Sequence, residues 1–313
     1  MKDSSFIINS AMARGLDVVG DRWVLLILRD AFLGRTRFEE FRKSTGASRT
    51  TLTRRLESLL AEDVMYKRNI SVTGNRFEYK LTQKGWGLYP TSLLALQWEL
   101  EWTDISLSIL PPELIHASCG HVLNPSTICQ NCQVPLEIGD VQWPELGETL
   151  DQQLDEIQSF NKRRVRSATI SDQHELPLSH VSDLIGDRWT LLLLISAFFG
   201  ITRYDAFSKQ LKIASNILSD RLNLLVDVNI FSRKNYQENP PRSEYLLTKK
   251  GKSLYPLVMT MRQWVLDWLE KSEQGEILIH KHCGKKLVVD VVCSECEHPP
   301  RPREVIIKKN NNG

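Results

Sequence analysis

The sequence predicts a mainly α chain with small β elements, an α+β fold laid down twice, and three observations carry that prediction. The first is repetition at one interval. Gly20-Asp21-Arg22-Trp23 returns as Gly186-Asp187-Arg188-Trp189, and Leu88-Tyr89-Pro90 as Leu254-Tyr255-Pro256, an offset of 166 residues in both cases. Solenoid repeats run to about 20 to 50 residues, so a period this long marks two complete domains, each able to bury a core of its own. The second is apolar spacing that alternates between helical and strand periods in the same order in each copy. The third is cysteine placement, because all six cysteines lie in two short segments, one after each copy.

Bulk properties agree with a soluble two-domain chain. The protein has 313 residues, 42% hydrophobic and 25% charged, and a formal net charge of +2. No apolar run reaches the roughly 18 residues that a membrane span needs, the longest candidate being residues 191–199, so no membrane partner is expected. Residues 1–5 lead into a brief apolar stretch without a small-residue cleavage site, which argues against a secretory leader and for a cytoplasmic protein. The net charge is too small to imply nucleic acid alone; what matters is where the charge sits.

The elements follow in order. Apolar residues at helical spacing over residues 11–32, and again over 181–198, end at Gly34 and Gly200 and predict one long helix in each copy. Asp21-Arg22 and Asp187-Arg188 at its start read as a cap or a salt bridge rather than as catalytic groups, and Trp23 and Trp189 read as core. Residues 37–41 and 203–207 place two aromatics three apart on a short helix. A turn then leads to residues 49–59, with Leu52, Leu56 and Leu59 as a buried stripe, and to residues 216–225, with Leu218, Leu222 and Leu225. Short helix, turn and amphipathic helix make a helix-turn-helix. Residues 64–68 and 77–82 alternate as two strands around Gly74-Asn75-Arg76, and residues 230–234 and 245–248 flank a Pro-stiffened turn. That hairpin is a wing. A last helix carries Trp98 and Trp102, or Trp264 and Trp268, four apart on a face expected to be core or subunit interface.

This ordered series resembles the HxlR-type winged helix-turn-helix regulators: Gly-Asp-Arg-Trp with its apolar helix, Arg-(Phe/Tyr)-x-x-Phe, the Leu-x-x-x-Leu helix, and above all residues 240–251, Pro-Pro-Arg-Ser-Glu-Tyr-Leu-Leu-Thr-Lys-Lys-Gly. The resemblance covers roughly residues 10 to 105 and 176 to 270. It implies a bacterial or archaeal, nucleoid-associated regulator of double-stranded DNA, whose relatives carry one such domain and pair as homodimers through first and last helices. Fusion then supplies the pair within one chain, and a further homodimer of the fused chain stays open. Some members sense oxidants through a cysteine just before the first helix. The positions aligned here are Ser10 and Leu176, so that switch is not carried over.

Position within the motif nominates the DNA-contacting side chains. In the first copy these are Arg37, Ser48, Arg49, Thr50, Thr51, Arg54 and Arg55, with Arg68, Asn75 and Arg76 on the wing. In the second they are Arg203, Ser215, Asn216 and Arg221, with Lys234 and Arg242 on the wing. Arg pairs with guanine edges or phosphate, and short polar groups suit base edges and backbone oxygens. Residues 48–56 carry three arginines and no acid, whereas residues 214–222 hold Asp220 and Arg221 and balance to zero. The first copy is the stronger electrostatic candidate. Arg55 and Arg221 have a second reading as structural ion pairs.

The cysteine segments both read H-x2-C-G-x8-C-x2-C: His116, Cys119, Cys129, Cys132 and His280, Cys283, Cys293, Cys296. One His and three Cys at paired short spacing meet the tetrahedral demand of structural Zn2+, and Gly120 or Gly284 permits the backbone turn of the first knuckle. His121 and His282 compete for the histidine position. The expectation is two structural zinc sites, one per copy, each closed by a zinc-ribbon-like module; reversible thiol chemistry is the alternative. Catalytic zinc is not expected, since all four positions are filled and no carboxylate is placed as a base.

Assembled, the expectation is a winged helix-turn-helix at residues 1–110, a ribbon module at 111–139, a linker at 140–175, a second winged helix at 176–274, a second module at 275–300, and a disordered tail at 301–313. The linker is read as part helical through Leu150, Leu154, Ile157 and Phe160, with a basic run over residues 162–166 as a candidate groove-binding arm. The function expected is a non-enzymatic, sequence-specific transcriptional regulator that reads an imperfect or asymmetric operator with two unequal helices. The alternatives are a protein-interaction scaffold of the transcription machinery and a zinc- or thiol-responsive regulator.

Overall fold

The computed structural model describes residues 11–71, 76–103, 113–142, 178–239, 241–269 and 277–308. The expectations on Ser10, Asn75, Leu176, the linker helix and the basic run 162–166 lie outside the described residues.

The single long helix expected at the start of each copy is two helices. In the first copy α1 (Ala11–Val19) stops, Asp21 turns extended at φ −136°, and its carboxylate caps α2 (Arg22–Phe32) by accepting from the N–H groups of Trp23 (3.0 Å) and Val24 (3.3 Å). The break has a local cause: a cap residue satisfies donors that a continuous helix would have bonded internally. The helix-turn-helix follows as α3 (Phe38–Thr45) and α4 (Arg49–Ala61), the latter capped by Ser48 Oγ accepting from Thr51 N–H. Leu52, Leu56 and Leu59 are buried with Phe41 beneath α4. The wing pairs β1 (Met65–Asn69) antiparallel with β2 (Phe77–Leu81). A short α5 (Gln83–Trp86) leads into α6 (Tyr89–Trp102).

Beyond it, β3 (Leu114–His116), β4 (Pro125–Cys129) and β5 (Val141–Gln142) belong to the cysteine segment. The second copy repeats the order: α7 (Ser179–Ile185), α8 (Arg188–Phe198), α9 (Tyr204–Leu211), α10 (Ser215–Asp227), a wing of β6 (Phe231–Gln237) and β7 (Arg242–Leu247), α11 (Lys249–Lys252) and α12 (Tyr255–Trp268). Asp187 caps α8 through Thr190, and Leu218, Leu222 and Leu225 are buried with Phe207. Its cysteine segment contains β8 (Ile279–His280) and β9 (Val289–Cys293), and after it comes β10 (Val305–Ile307).

The two copies pack against each other, α1 on α12, α6 on α12 and α2 on α7. Many contacts come in reciprocal pairs. Trp98 Nε1 donates to the Lys250 carbonyl (3.2 Å) and Trp264 Nε1 to the Lys84 carbonyl (2.8 Å), while each lysine ammonium stands over the other copy's tryptophan ring at 5.4 and 5.9 Å. Arg22 pairs with Asp183 (2.8 Å) and Arg188 with Asp17 (2.7 Å). Equivalent positions also make unlike contacts. Gly15 lies so close to Val265 that a Cβ there would meet Val265 Cγ2 at 2.7 Å. At the matching place Glu99, fully buried, accepts from the backbone N–H groups of Val181 (3.0 Å) and His180 (3.4 Å) at the start of α7.

The cysteine segments form no separate modules. β4 pairs antiparallel with β9, β3 with β10, and β5 with β8, so every one of these two-stranded sheets joins one copy to the other. Residues 301–308 are therefore not the disordered start of a tail: 302–304 form a 3-10 turn and β10 is the strand that completes β3. Its three residues exchange ladder bonds that an unpaired strand would leave to water.

Candidate functional site

Two recognition helices and two cysteine clusters are the sites that the fold presents. On α4 the buried leucine stripe turns Ser48, Arg49, Thr50, Thr53, Arg54 and Glu57 to solvent, with Thr51 half-buried. On α10 the equivalent surface is Ser215, Asn216, Asp220 and Asn223. Arg49 is 73% exposed, donates to Glu39 at 2.7 Å and stacks over Phe38 at 5.4 Å. Glu39 also holds Arg42 at 2.7 Å, and these arginines keep its carboxyl below the usual range, the Arg42 hydrogen bond most of all. The first helix thus presents a steered guanidinium, and the second presents amides, hydroxyls and a carboxylate.

Two residues expected at this surface turn inward. Arg221 is buried, and its guanidinium grips the Asp187 carboxylate from Nε at 2.9 Å and Nη2 at 3.2 Å. Arg55 is half-buried and bonds the Asp21 carboxylate. Both acids are the caps of α2 and α8, so each arginine ties its helix-turn-helix to the preceding helix. The physical reason is helical phase. Arg55 and Arg221 directly precede Leu56 and Leu222 and sit at the edge of the buried stripe, within reach of a carboxylate that must already be there to cap. These two assignments to DNA are corrected to structural pairs.

The remaining nominated residues are exposed. Arg37 and Arg203 precede α3 and α9; Arg203 stacks on Tyr236 of the wing at 4.7 Å. Arg68 is held to Glu78 across the wing at 3.0 Å, and Arg68 and Lys80 together lower the Glu78 carboxyl, with the Arg68 bond foremost. Arg76, Lys234 and Arg242 face solvent on the wings.

The cysteine clusters contain all eight expected ligands, in crossed sets. One set is His116 and Cys119 of the first copy with Cys293 and Cys296 of the second; the other is Cys129 and Cys132 with His280 and Cys283. The expectation of one self-contained site per copy is overturned. In each set the ligand atoms all lie within 4.8 Å of one another. His116 Nδ1 stands 3.6 Å from Cys119 Sγ and 3.3 Å from Cys296 Sγ, and His280 Nδ1 stands 3.5 Å from Cys283 Sγ and 3.4 Å from Cys132 Sγ. A tetrahedral zinc with ordinary bond lengths separates a ligating nitrogen from a sulfur by about 3.6 Å, so these atoms fit the ion. Nδ1 is the nitrogen aimed into each cluster, and both imidazoles are buried. Backbone N–H groups of Val134, Lys285 and His298 point at the sulfurs of Cys132, Cys283 and Cys296, and the Lys285 N–H is the chief cause that holds the Cys283 thiol below its ordinary value. His121 and His282 are exposed and belong to neither set.

The crossing follows from strand length. Only eight residues separate Gly120 from Cys129, and the last four of them run with Cys129 as the strand β4. That carries the C-x2-C pair about 14 Å from the start of the strand at ordinary strand rise, away from its own H-x2-C turn. Antiparallel pairing sets Cys129 opposite Val289 and Pro125 opposite Cys293, so each strand's end meets the other copy's turn. The sequence signal was the x8 spacing itself, too short for a strand to go out and return.

Comparison with known proteins matches both helix-turn-helix copies to one family. A family model described as HxlR-like helix-turn-helix matches residues 18–106 and again 184–273, more than half of the chain. The chain is 36% identical over 124 residues to the HTH-type transcriptional regulator Mb3122 of Mycobacterium bovis, covering 39% of this chain and 78% of that protein. It is 35% identical over 100 residues to the HTH-type transcriptional regulator sll1512 of Synechocystis, covering 32% and 74%. Among solved structures, PA1607 is 30% identical over 45% of this chain and 100% of its own, with a TM-score of 0.41. The redox regulator HypR in its oxidized form is 30% identical over 29% and 95%, with a TM-score of 0.28.

Proposed function

The chain belongs to the HxlR-like helix-turn-helix family, a family of DNA-binding transcriptional regulators, and from that premise we propose that it is a sequence-specific regulator acting without catalysis. Its two winged helices form an intramolecular pseudo-dimer that reads an imperfect or asymmetric operator in double-stranded DNA. The observation that carries this reading is the unlikeness of two exposed recognition helices in one chain, Arg49, Thr50 and Arg54 on α4 against Ser215, Asn216 and Asp220 on α10. A homodimer presents one surface twice and favours a palindrome; a fused pair presents two surfaces and favours two different half-sites. Arg54 and Arg49 suit guanine edges or phosphate, while Asn216 suits adenine and Asp220 repels phosphate. The first copy therefore supplies most of the salt-sensitive affinity and the second mainly discriminates. The Cys3His sets support Zn2+ as the resident ion, in a structural role with no open position. Among the described residues no helix is long and apolar enough to cross a membrane.

Selection from a randomised duplex pool at two salt concentrations tests this reading. The expected result is an enriched two-part site whose halves differ and whose affinity falls steeply with salt. A perfect palindrome refutes the asymmetric reading, and no enrichment with no salt-sensitive binding refutes the regulator.

A further inference from the structure

We propose that the two metal ions are straps between the copies, and that their loading controls recognition of the two-part DNA site. This rests on the DNA-binding reading above. Each ion takes one ligand pair from the H-x2-C turn of one copy and one from the C-x2-C turn of the other. The three two-stranded sheets of the ribbon layer they close, with pairings of five, three and two residues, all run between copies, and within a copy the layer adds single bridges, Ile115 with Val122, Ile128 with Pro135 and Ile279 with Lys286. Isolated two-stranded sheets are marginal in water, and small metal-bound layers take their folding free energy from the ion. The layer is also fastened to the helices that end each winged domain. Gln97 of α6 bonds Asn124, and Gln263 of α12 accepts from the Val289 N–H at 3.0 Å. Reciprocal backbone bonds, Ser294 N–H to the Asn124 carbonyl at 2.9 Å and Gln130 N–H to the Val288 carbonyl at 2.8 Å, join the two halves beside these fastenings. With both ions bound, α6 and α12 are clamped at their ribbon-facing sides, and the recognition helices keep one separation. Without them the copies remain covalently linked and share the helical interface, but a second half-site is met by a loosely placed domain, and the advantage of two-point attachment declines.

The experiment compares variants that lose two cysteines each. Cys119→Ser with Cys296→Ser removes ligands from one crossed set only; Cys119→Ser with Cys132→Ser removes one from each. Crossed straps predict about one zinc per chain for the first variant and close to none for the second, against two for the parent. The reverse order means that each copy closes its own site and overturns the proposal. The second measurement uses the full chain, zinc-loaded or stripped by chelator and then reloaded with Zn2+, on a selected two-part duplex and on one with a half-site scrambled. Zinc removal is expected to weaken the two-part duplex at least tenfold, reversibly, and to change the single half-site by less than about threefold. Equal affinity of both forms for the two-part duplex overturns control by metal. If the zinc-loaded parent binds no duplex, the DNA reading falls, and control of DNA by metal with it, whereas the zinc counts still decide whether the ions strap the copies.

Discussion

Arg221 offers the sharpest test, because its position in the motif nominates it for DNA and its environment makes it structural. The perturbation is Arg221→Met, which keeps the aliphatic stem and removes the charge. The side chains of Arg221 and Asp187 are 6% and 10% exposed and share two hydrogen bonds. Breaking a buried pair by removing one partner costs about 3 to 5 kcal/mol, most of it the stranded charge. Asp187 keeps two bonds after the change, from Thr190 N–H at 2.9 Å and Thr190 Oγ1 at 2.8 Å. That partial compensation places the loss near the lower end, about 3 kcal/mol, or a fall in Tm on the order of 6 to 12 °C. Denaturant and thermal unfolding read the stability, and titration of the folded variant reads DNA affinity at a temperature where it stays native. The expected pattern is a large stability loss with affinity within about twofold. Unchanged stability with affinity lost by tenfold or more refutes the structural assignment and restores Arg221 to the DNA surface. A double-mutant cycle with Asp187→Asn should show coupling, since neither residue has its full effect without the other.

Four further outcomes follow from the same reasoning. Arg54→Ala should leave stability within about 0.5 kcal/mol and cost about 1 to 3 kcal/mol of DNA affinity with relaxed preference at one position if it reads a base, or lower the salt slope by about 1 if it meets phosphate; binding at several salt concentrations separates the two. Trp264→Ala empties the contact with Lys84 and should cost about 3 to 5 kcal/mol in denaturant unfolding, more than Trp268→Ala, whose side chain is 41% exposed against 2% for Trp264. Lys212, which closes the second helix-turn-helix at φ 47° where the first copy has Gly46 at φ 71°, holds a backbone that L-residues resist; Lys212→Gly should stabilise by about 0.5 to 1 kcal/mol in the same assay. Burial pushes Asp183 up to about 6, with the Arg22 guanidinium opposing, from an ordinary value of 3.8. Its folded pKa is the higher, so folding takes up a proton between about pH 4 and 6, and this group's contribution to stability declines as pH rises through 6. Asp183→Asn should flatten that part of the stability profile, which unfolding at closely spaced pH values reads directly.

What the sequence determined by itself was local. The repeat, the stripe of Leu52, Leu56 and Leu59, the wings and the eight candidate metal ligands are written in spacing, because helix and strand periods and chelating turns involve residues close together in the chain. Tertiary structure decided everything that depends on a partner far away in sequence. Asp21 breaks the first helix and Asp187 begins α8, and because those carboxylates stand 34 residues before Arg55 and Arg221, only the folded packing reveals that both arginines point inward. The H-x2-C and C-x2-C motifs name ligands without saying which pairs meet; the straight strand β4 and its pairing with β9 choose the other copy. Residues 305–307, read as tail, become a strand because β3, nearly 190 residues earlier, offers an edge whose N–H and C=O groups require partners. The small unlike contact of Gly15 with Val265 against Glu99 with Val181 belongs to the same class. Its two sides are unremarkable in sequence, and only the folded packing brings them together.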